Sequence, residues 1–391
     1  MPGFELIGKE ERQAVLDIFD KYGGVLFKHG FDGLRNGSFK VAEFQKAFAE
    51  KFGAAHAQAV TSGSVALKVA LQALGISPGD EVVTQSFTFV ATAEAIMECG
   101  AVPVITEIDE TLNMDPEDLK KRITKKTKAV VPVHMYGSAA RMDEITAIAK
   151  AAGLKVLEDA AQAIGGRYKG KPLGTIGDAG AFSFDFGKAV TTGEGGMVVT
   201  NDMATYLRAM ELADHGHQNN PKFPRGEDTR RIPGFNYRMN ELQGAIGLVQ
   251  LGKLDLAIGE QKKNKTKIVA GIRGIKGLKL RAFADQEGET ADTLTFTLAT
   301  QDKARRFVEK LKERRLGTKN LPDAFKWHFA GTWDHMLPAI PLYRGKDLAG
   351  LWPKSRDLLE RTVALPVNIK MSDEQIGRVI DSIRDISKEV I

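Results

Sequence analysis

The sequence predicts an α/β protein in two parts: a large domain built on a mostly parallel, mixed sheet flanked by helices, and a smaller C-terminal α+β domain. Two observations predict it. From Asp80 to Val133, apolar strands (EVVTQSFTFVAT, VPVITEI, KAVVPVH) alternate with short helices (AEAIMECG, DPEDLKKRI), and MDEITAIAKAAG then leads into LKVLED. Apolar β-branched strands separated by helices are the pattern of a parallel sheet covered on both faces. From about residue 256 the pattern changes to a charged linking helix, IGEQKKNKTKIVAGIRG, and a strand over 293–300 with Leu294, Phe296 and Leu298 alternating. Amphipathic helices follow over 303–315 and 373–391, the last opening with the capping box Ser372 to Gln375. The expected division is an arm (1–35), a large domain (36–255) and a small domain (256–391).

Composition narrows the function classes. A chain of 391 residues is long enough for these two domains. Its net charge of +5 is dispersed, which argues against a nucleic-acid surface. One cysteine, Cys99, excludes an internal disulfide framework and a multi-thiolate metal site. The opening MPGFELIGKEERQ lacks the apolar core of a signal peptide, and no apolar run reaches the ~18 residues of a membrane span. A cytoplasmic protein with no membrane partner is expected.

Taken in order, the arm offers a short helix from Lys9 to Phe19, then the glycine-rich run KYGGVLFKHGFDGLRNG. A segment with so little pattern of its own packs on the main domain or on a partner subunit. Phe39 to Phe52 has helical spacing (Val41, Phe44, Phe48) and stops at Gly53. In AQAVTSGSVALKVALQALG a strand ends at Val60, residues 61–64 turn, and a helix begins whose Leu67, Ala70, Leu71 and Leu74 share a face. The free N–H groups at that helix start suit an anion; a plain serine N-cap accounts for the same residues. LKVLED ends in Glu158 and Asp159. Ligands of open α/β sheets sit outside the carboxyl ends of strands, so an acid there is a site candidate, with a helix N-cap aspartate as the alternative. Later, YLRAMELADHGHQNN runs into a loop with His215 and His217. RRIPGFNYRMNELQGAIGLVQLGKLD then gives a loop with Asn236, Tyr237 and Arg238, and a helix expected to turn Leu242, Ala245, Ile246 and Val249 inward.

The stretch AGAFSFDFGKAVTTGEGGMVVTN carries the remaining signal. A strand over 181–184 breaks at Gly187 and offers a single lysine, Lys188; a Gly-Glu-Gly-Gly turn and a second strand over 197–200 follow. By itself this reads as a solvated lysine in a hairpin loop. It also places one amine at the end of a buried sheet, where burial lowers the pKa and leaves neutral amine for carbonyl capture. The turn at 62–65, the acid Asp159 and Lys188 together match the needs of pyridoxal 5'-phosphate (PLP): an anion site, an acid for the ring nitrogen, and an amine for the aldehyde.

Taken together, SGSVAL, GDEVVTQSFTFVAT, GAVPV, VHMYG, LEDAAQAIGG, GTIGDAGAFSF, KAVTTGEGGMVVTND and GFNYRMNELQGAIGL resemble the DegT/StrS sugar aminotransferases, a family of fold-type-I PLP-dependent transferases. The resemblance implies that Lys188 carries the cofactor and serves as catalytic base. It places Asp159 at the pyridine nitrogen and Gln162 near the phenolic oxygen. Ser183, Ser64 and the backbone at Gly63 and Val65 would hold the phosphate, and Phe89 would stack on the ring, with Phe87 two residues away. Asn236 would reach the phosphate of a neighbouring subunit, which implies a homodimer with shared active sites. SGS stands here where SGT is more usual, and DFG precedes the lysine where a histidine is often seen.

The family mostly aminates nucleotide-linked keto-sugars with L-glutamate as donor. PGFELIGKEE, VLFKHGFDGLRNG and DHGH…RGEDTRRIPGFNYRMNE look most like the branch that makes 8-amino-3,8-dideoxy-manno-octulosonate (8-amino-Kdo) from 8-oxo-Kdo, a lipopolysaccharide sugar. Arg35 on the arm, with His215, Arg225, Arg230 and Arg231, suits a carboxylate or a diphosphate equally. NLPDAFKWHFAGTWDHM, with Trp327, His328, Trp333 and His335, is aromatic and polar enough to line a sugar site, although packing accounts for most of it. Other classes fit less well. No strand-linked G-x-G-x-x-G supports a nicotinamide enzyme. His134, His215 and His217 lack carboxylate partners at useful spacing for a metal site. A non-catalytic regulator of this fold is expected to lose Lys188 or Asp159, and this chain keeps both.

Overall fold

Seven strands form the main sheet: β1 (His56–Val60), β2 (Glu81–Gln85), β3 (Val102–Thr106), β4 (Thr127–Val131), β5 (Lys155–Asp159), and, after a two-stranded hairpin of β6 (Arg167–Tyr168) and β7 (Lys171–Pro172), β8 (Ala179–Ser183) and β9 (Gly196–Thr200). Their order is β1-β9-β8-β5-β4-β2-β3. Only β9 is antiparallel to its neighbours β1 and β8, so the carboxyl ends of β1, β8, β5, β4 and β2 share one edge. These are features of a computed structural model that describes residues 3–220 and 222–391. Met1 and Pro2, the first residues of the expected arm, lie outside them.

Helices cover both faces. They are α1 (Lys9–Asp20), α2 (Lys40–Phe52), α3 (Gly63–Ala73), α4 (Ala91–Glu98), α5 (Pro116–Arg122), α6 (Met142–Ala151), α7 (Met203–Ala213), α8 (Glu241–Gly252) and α9 (Leu254–Ile272). On one face, Leu67, Ala70 and Leu71 of α3 pack over Val82, Leu157 and Val198. On the other, Phe44 and Phe48 of α2 meet Phe182 and Phe184 of the β8 region, with ring centroids 5.0–5.6 Å apart. Each such buried ring contributes about 1.5–3 kcal/mol. Gly53 ends α2 in the left-handed region at φ 65°.

The face of α8 differs from the expected one. Its buried residues are Glu241, Gly244, Ala245, Gly247, Gln250 and Leu251, while Leu242, Ile246 and Val249 are only half-buried. The cause is close approach to α2: a Cβ on Gly244 would meet Val41 N at 2.6 Å, and one on Gly247 would meet the Phe44 ring at 2.6 Å. The glycines, not the leucine stripe, turn toward the core.

A second sheet orders β10 (Lys279–Leu280), β11 (Thr293–Thr297) and β12 (Thr362–Pro366), all antiparallel. It is covered by α10 (Gln301–Glu313) and α13 (Asp373–Val390), with α11 (Phe325–His328) and α12 (Pro353–Glu360) between. The Ser372–Gln375 capping box is present. The aromatic segment before α12 joins a different core: Leu321, Phe329, Trp333 and Trp352 are buried against Phe87, Ile105 and Tyr136. This ties the C-terminal part to the carboxyl edge of the large sheet. The arm also packs on its own chain, since the buried Glu11 of α1 accepts from Lys253 Nζ at 2.7 Å and Gln250 Nε2 at 2.7 Å.

Candidate active site

Strand alternation sends the adjacent acids at the end of β5 to opposite faces. Glu158 is fully buried and accepts N–H groups from Gly174 (2.8 Å), Ile176 (2.5 Å) and Gly177 (2.7 Å), plus His134 Nε2 at 2.9 Å. Ala140 N–H occupies His134 Nδ1 at 3.1 Å, which assigns the proton to Nε2. This pair is structural. Asp159 faces a cleft of about 410 Å³ at the carboxyl edge of the sheet. Its Oδ2 accepts from Thr92 Oγ1 at 2.7 Å and its Oδ1 from Ala161 N–H at 3.1 Å. Thr88 Oγ1 stands 2.7 Å behind Thr92. Burial raises the Asp159 pKa more than these hydrogen bonds and the charge of Lys188 lower it.

The floor at one end of the cleft is the start of α3. Ser62 caps the helix, its Oγ accepting the Val65 N–H at 3.2 Å. The serine N-cap is therefore present: the expected phosphate donor Val65 gives its N–H to Ser62 here, and the residue does not line the cleft. Gly63 and Ser64 line the cleft with Ser183. A Cβ on Gly63 would lie 2.6 Å from Ser183 Cβ, so glycine is what lets the β8 end and the helix start close into one cradle. Backbone N–H groups of a first helical turn beside two serine hydroxyls suit a dianion.

Lys188 lies on the loop after β8. Its N–H donates to Asp185 O at 3.0 Å, and Gly187 N–H to Asp185 Oδ1 at 2.9 Å. The glycine turn beyond it brings β9 against the serine cap, where a Cβ on Gly196 would meet Ser62 O at 2.2 Å. Burial lowers the Lys188 pKa, against the opposing pull of Asp185 and Asp159. An amine of lowered pKa, on the loop after β8, and an acid at the end of β5 thus share one cleft.

Phe89, 42% exposed, forms part of the cleft wall and stacks on Trp327 at 6.0 Å with planes 15° apart. Phe87 is fully buried beneath Tyr136, which leaves Phe89 as the ring able to present a face. Gln162 lines the cleft and accepts Tyr136 N–H at 3.3 Å. Of the aromatic segment, His328 lines the cleft, Trp327 is 60% exposed, Trp333 is fully buried and His335 is exposed. Burial holds the His328 pKa down at about 4. Sequence reasoning missed Thr92, Asp292 and Lys319. Lys319 Nζ donates to Asp292 Oδ2 at 2.5 Å and Thr293 Oγ1 at 2.8 Å, placing an ion pair from the small sheet in the cleft wall. No motif marks these residues; only the fold brings them in.

Four expected site residues lie elsewhere. Arg35 is 1% exposed, donates to the carbonyls of Phe27 and Lys28, and sits over the Phe39 ring at 4.3 Å. It clamps the arm and is not available to a substrate. His215 is exposed beside Phe235, and Arg231 pairs with the buried Glu211 at 2.6 Å. Asn236 is exposed and bridges to Asp214 through its backbone. None of these four lines the Lys188 cleft of its own chain.

The cleft fits the expected cofactor on the chemistry of its donors. An anion cradle at Gly63, Ser64 and Ser183, an aromatic face at Phe89, a buried acid at Asp159 and an amine at Lys188 are all present. The raised Asp159 pKa marks a carboxyl that lacks a full counter-charge, which a protonated ring nitrogen supplies.

Comparison with known proteins agrees with this chemistry. The chain is 37% identical over 398 aligned positions to the spore coat polysaccharide biosynthesis protein SpsC of Bacillus subtilis, covering 98% of this chain and 96% of that one. It is 34% identical over 356 positions to a GDP-perosamine synthase of Escherichia coli O157:H7, covering 88% and 89% of the two chains. Among solved structures, an aminotransferase from Psychrobacter cryohalolentis superposes with a TM-score of 0.84 at 27% identity, covering 98% of both chains. The sequence profile of the DegT/DnrJ/EryC1/StrS aminotransferases matches residues 31–384, and the chain belongs to that family.

Proposed function

We propose that this enzyme moves an amino group from L-glutamate to an oxo-sugar in two alternating half-reactions, with 8-oxo-Kdo as the acceptor and 8-amino-Kdo as the product. The observation that carries the aminotransferase reading is one cleft holding a pKa-lowered Lys188, a buried Asp159 and the Gly63–Ser183 cradle. PLP bound there supplies an electron sink that acidifies the carbon bearing the transferred nitrogen. Ser64, Ser183 and the Gly63 N–H would hold its phosphate. Asp159 would keep the proton on its ring nitrogen, Phe89 would lie against one ring face and Gln162 would sit near the phenolic oxygen. Lys188 would serve as the amine that carries the group and as the base and acid that moves the substrate proton.

The acceptor rests on the arm and on the 214–240 loop, which resemble the 8-amino-Kdo branch. A nucleotide-linked keto-sugar is the second reading, favoured by the likeness to GDP-perosamine synthases. Turnover with glutamate decides between them: activity on 8-oxo-Kdo and none on nucleotide-linked 4-keto-hexoses is expected, and the reverse removes the first acceptor.

We also place the protein in the cytoplasm as a homodimer whose Asn236, with His215 and Arg231, serves the neighbouring subunit's cleft. Among the described residues no helix is long and apolar enough to cross a membrane. Asn236 lies outside its own cleft. Mixing Lys188→Ala with Asn236→Ala protein tests the sharing. Dimers carrying one intact site recover activity that neither parent shows, and no recovery removes the shared site.

A further inference from the structure

The first described residues sit directly on the lysine loop. Gly3 donates its N–H to the carbonyl oxygen of Lys188 at 2.9 Å. The approach is so close that a Cβ on Gly3 would lie 2.5 Å from that oxygen. Phe4 stacks on Phe186, with centroids 4.9 Å and planes 22° apart. Glu5 reaches the other way. Its carboxylate accepts the N–H groups of Ile369 (3.3 Å) and Lys370 (2.9 Å), in the turn between β12 and α13. Lys253 Nζ, at the α8–α9 corner, donates to Leu6 O at 2.9 Å. The turn Gly3–Leu6 therefore touches the lysine loop, the large domain and the small domain at once.

The small-domain end of this connection is well fixed. On α9, the buried Gln261 donates Nε2 to Val367 O at 2.8 Å, and the buried Asn264 donates Nδ2 to Asn368 O at 3.0 Å and Ile369 O at 3.1 Å. With Glu5 on the opposite N–H groups, both polar sides of the 367–370 turn are engaged. Gln261 also lines the cleft, so this anchor continues into the active-site wall.

We infer that Gly3–Leu6 is a strap that fixes the main chain of Lys188 against the small domain, with Gly3, Phe4 and Glu5 as positioning residues for the transamination. The inference rests on the reading of Lys188 as the reactive amine. A lysine side chain is long and freely rotating, so the reach of its amine depends on where its backbone is held. The bonds to Asp185 set the curl of the loop. Gly3 and Phe4 set its position over the cleft, and Glu5 links that position to the turn after β12. A misplacement of about 1 Å in a reacting group costs on the order of 10²-fold in rate, so a strap at this point acts on catalysis without touching substrate.

Phe4→Ala, Glu5→Ala and their double variant, made in the full chain, test it by three measurements. These are hydrogen exchange over residues 184–190 of the cofactor-free protein, the pH titration of the visible band of the cofactor-loaded protein, and kcat against KM. Exchange is expected to rise about 5-fold or more, and the titration midpoint to shift. The value of kcat should fall roughly 10-fold while both KM values stay within about 2-fold. Phe4→Tyr should restore all three. Unchanged exchange together with an unchanged midpoint overturns the strap, even where activity falls. Should Glu5→Ala fail to fold, Phe4→Ala remains informative, because that ring is 40% exposed and carries little of the core. If Lys188→Ala protein still transaminates, the reading of the lysine fails, while the exchange data judge the strap independently.

Discussion

The cofactor end of the cleft and the arm-and-loop region respond differently to the same kind of sequence argument. Gly63, Ser64, Asp159, Ser183 and Lys188 come from three separate strand ends and meet in one cleft. Arg35, His215 and Arg231, which stand out in the sequence by their polarity, do not meet there. Arg35 is engaged by carbonyls of its own arm, and Arg231, still largely exposed, pairs with the buried Glu211. Nearby, Asp214 gathers Arg225 (2.7 Å), Arg238 and His29 (3.0 Å) into a network joining arm and loop. Burial alone would raise its pKa, but the hydrogen bonds from His29, Arg225 and Arg238 hold it far below the ordinary range. Strand ends have their places set by sheet topology. Loop cations instead find whichever acceptors the tertiary structure leaves nearby.

Mutations at the cofactor end should cost activity, and mutation of Arg35, the clamp of the arm, should cost stability. Lys188→Ala should lower kcat/KM by about 10³-fold or more and abolish the visible absorption of the reconstituted protein, read in a glutamate half-reaction. Asp159→Asn keeps the shape of the Thr92 contact but removes the charge; a loss of about 10²-fold in kcat is expected, with folding intact by circular dichroism. For Gly63→Ala, the 2.6 Å clash with Ser183 should open the cradle and weaken cofactor binding about 10-fold, measured by titrating the cofactor-free protein. Arg35→Met should lower the free energy of unfolding by about 2 kcal/mol in urea while leaving substrate KM within about 2-fold. A KM effect without a stability effect would return Arg35 to the substrate.

His328 sharpens the same comparison through pH. Its folded pKa of about 4 lies below the ordinary value, so on acidification the unfolded chain takes up a proton before the folded one does. Stability should therefore fall as pH drops from about 6.5 to about 4, by roughly 3 kcal/mol at most, and His328→Gln should lose less over that interval. Urea midpoints across that range check it. A steeper loss in the variant would show that the histidine is not held neutral.

The α/β class, the helix stop at Gly53 and the capping box at Ser372 were legible because local spacing fixes them. Asp159 and Lys188 were legible as well, since each stands at the end of a strand whose own pattern is clear. The inward face of α8 was misread because Gly244 and Gly247 carry no hydrophobic signal, although their smallness is what permits close packing on α2. Phe89 could be separated from Phe87 only once burial was known. Thr92, Asp292 and Lys319 left no mark in the text, because their place in the cleft depends on contacts between segments far apart in the chain. The opening PGFEL reads as an unpatterned arm, and nothing local shows that Gly3 meets the carbonyl of Lys188. Short-range periodicity and turn chemistry specify which elements form and which of the following turns present an acid, a serine or a lysine. Which charges neutralise one another, and that Gly3 and Phe4 meet the Lys188 loop, follows from tertiary contacts alone, because those contacts join residues that sequence spacing does not relate.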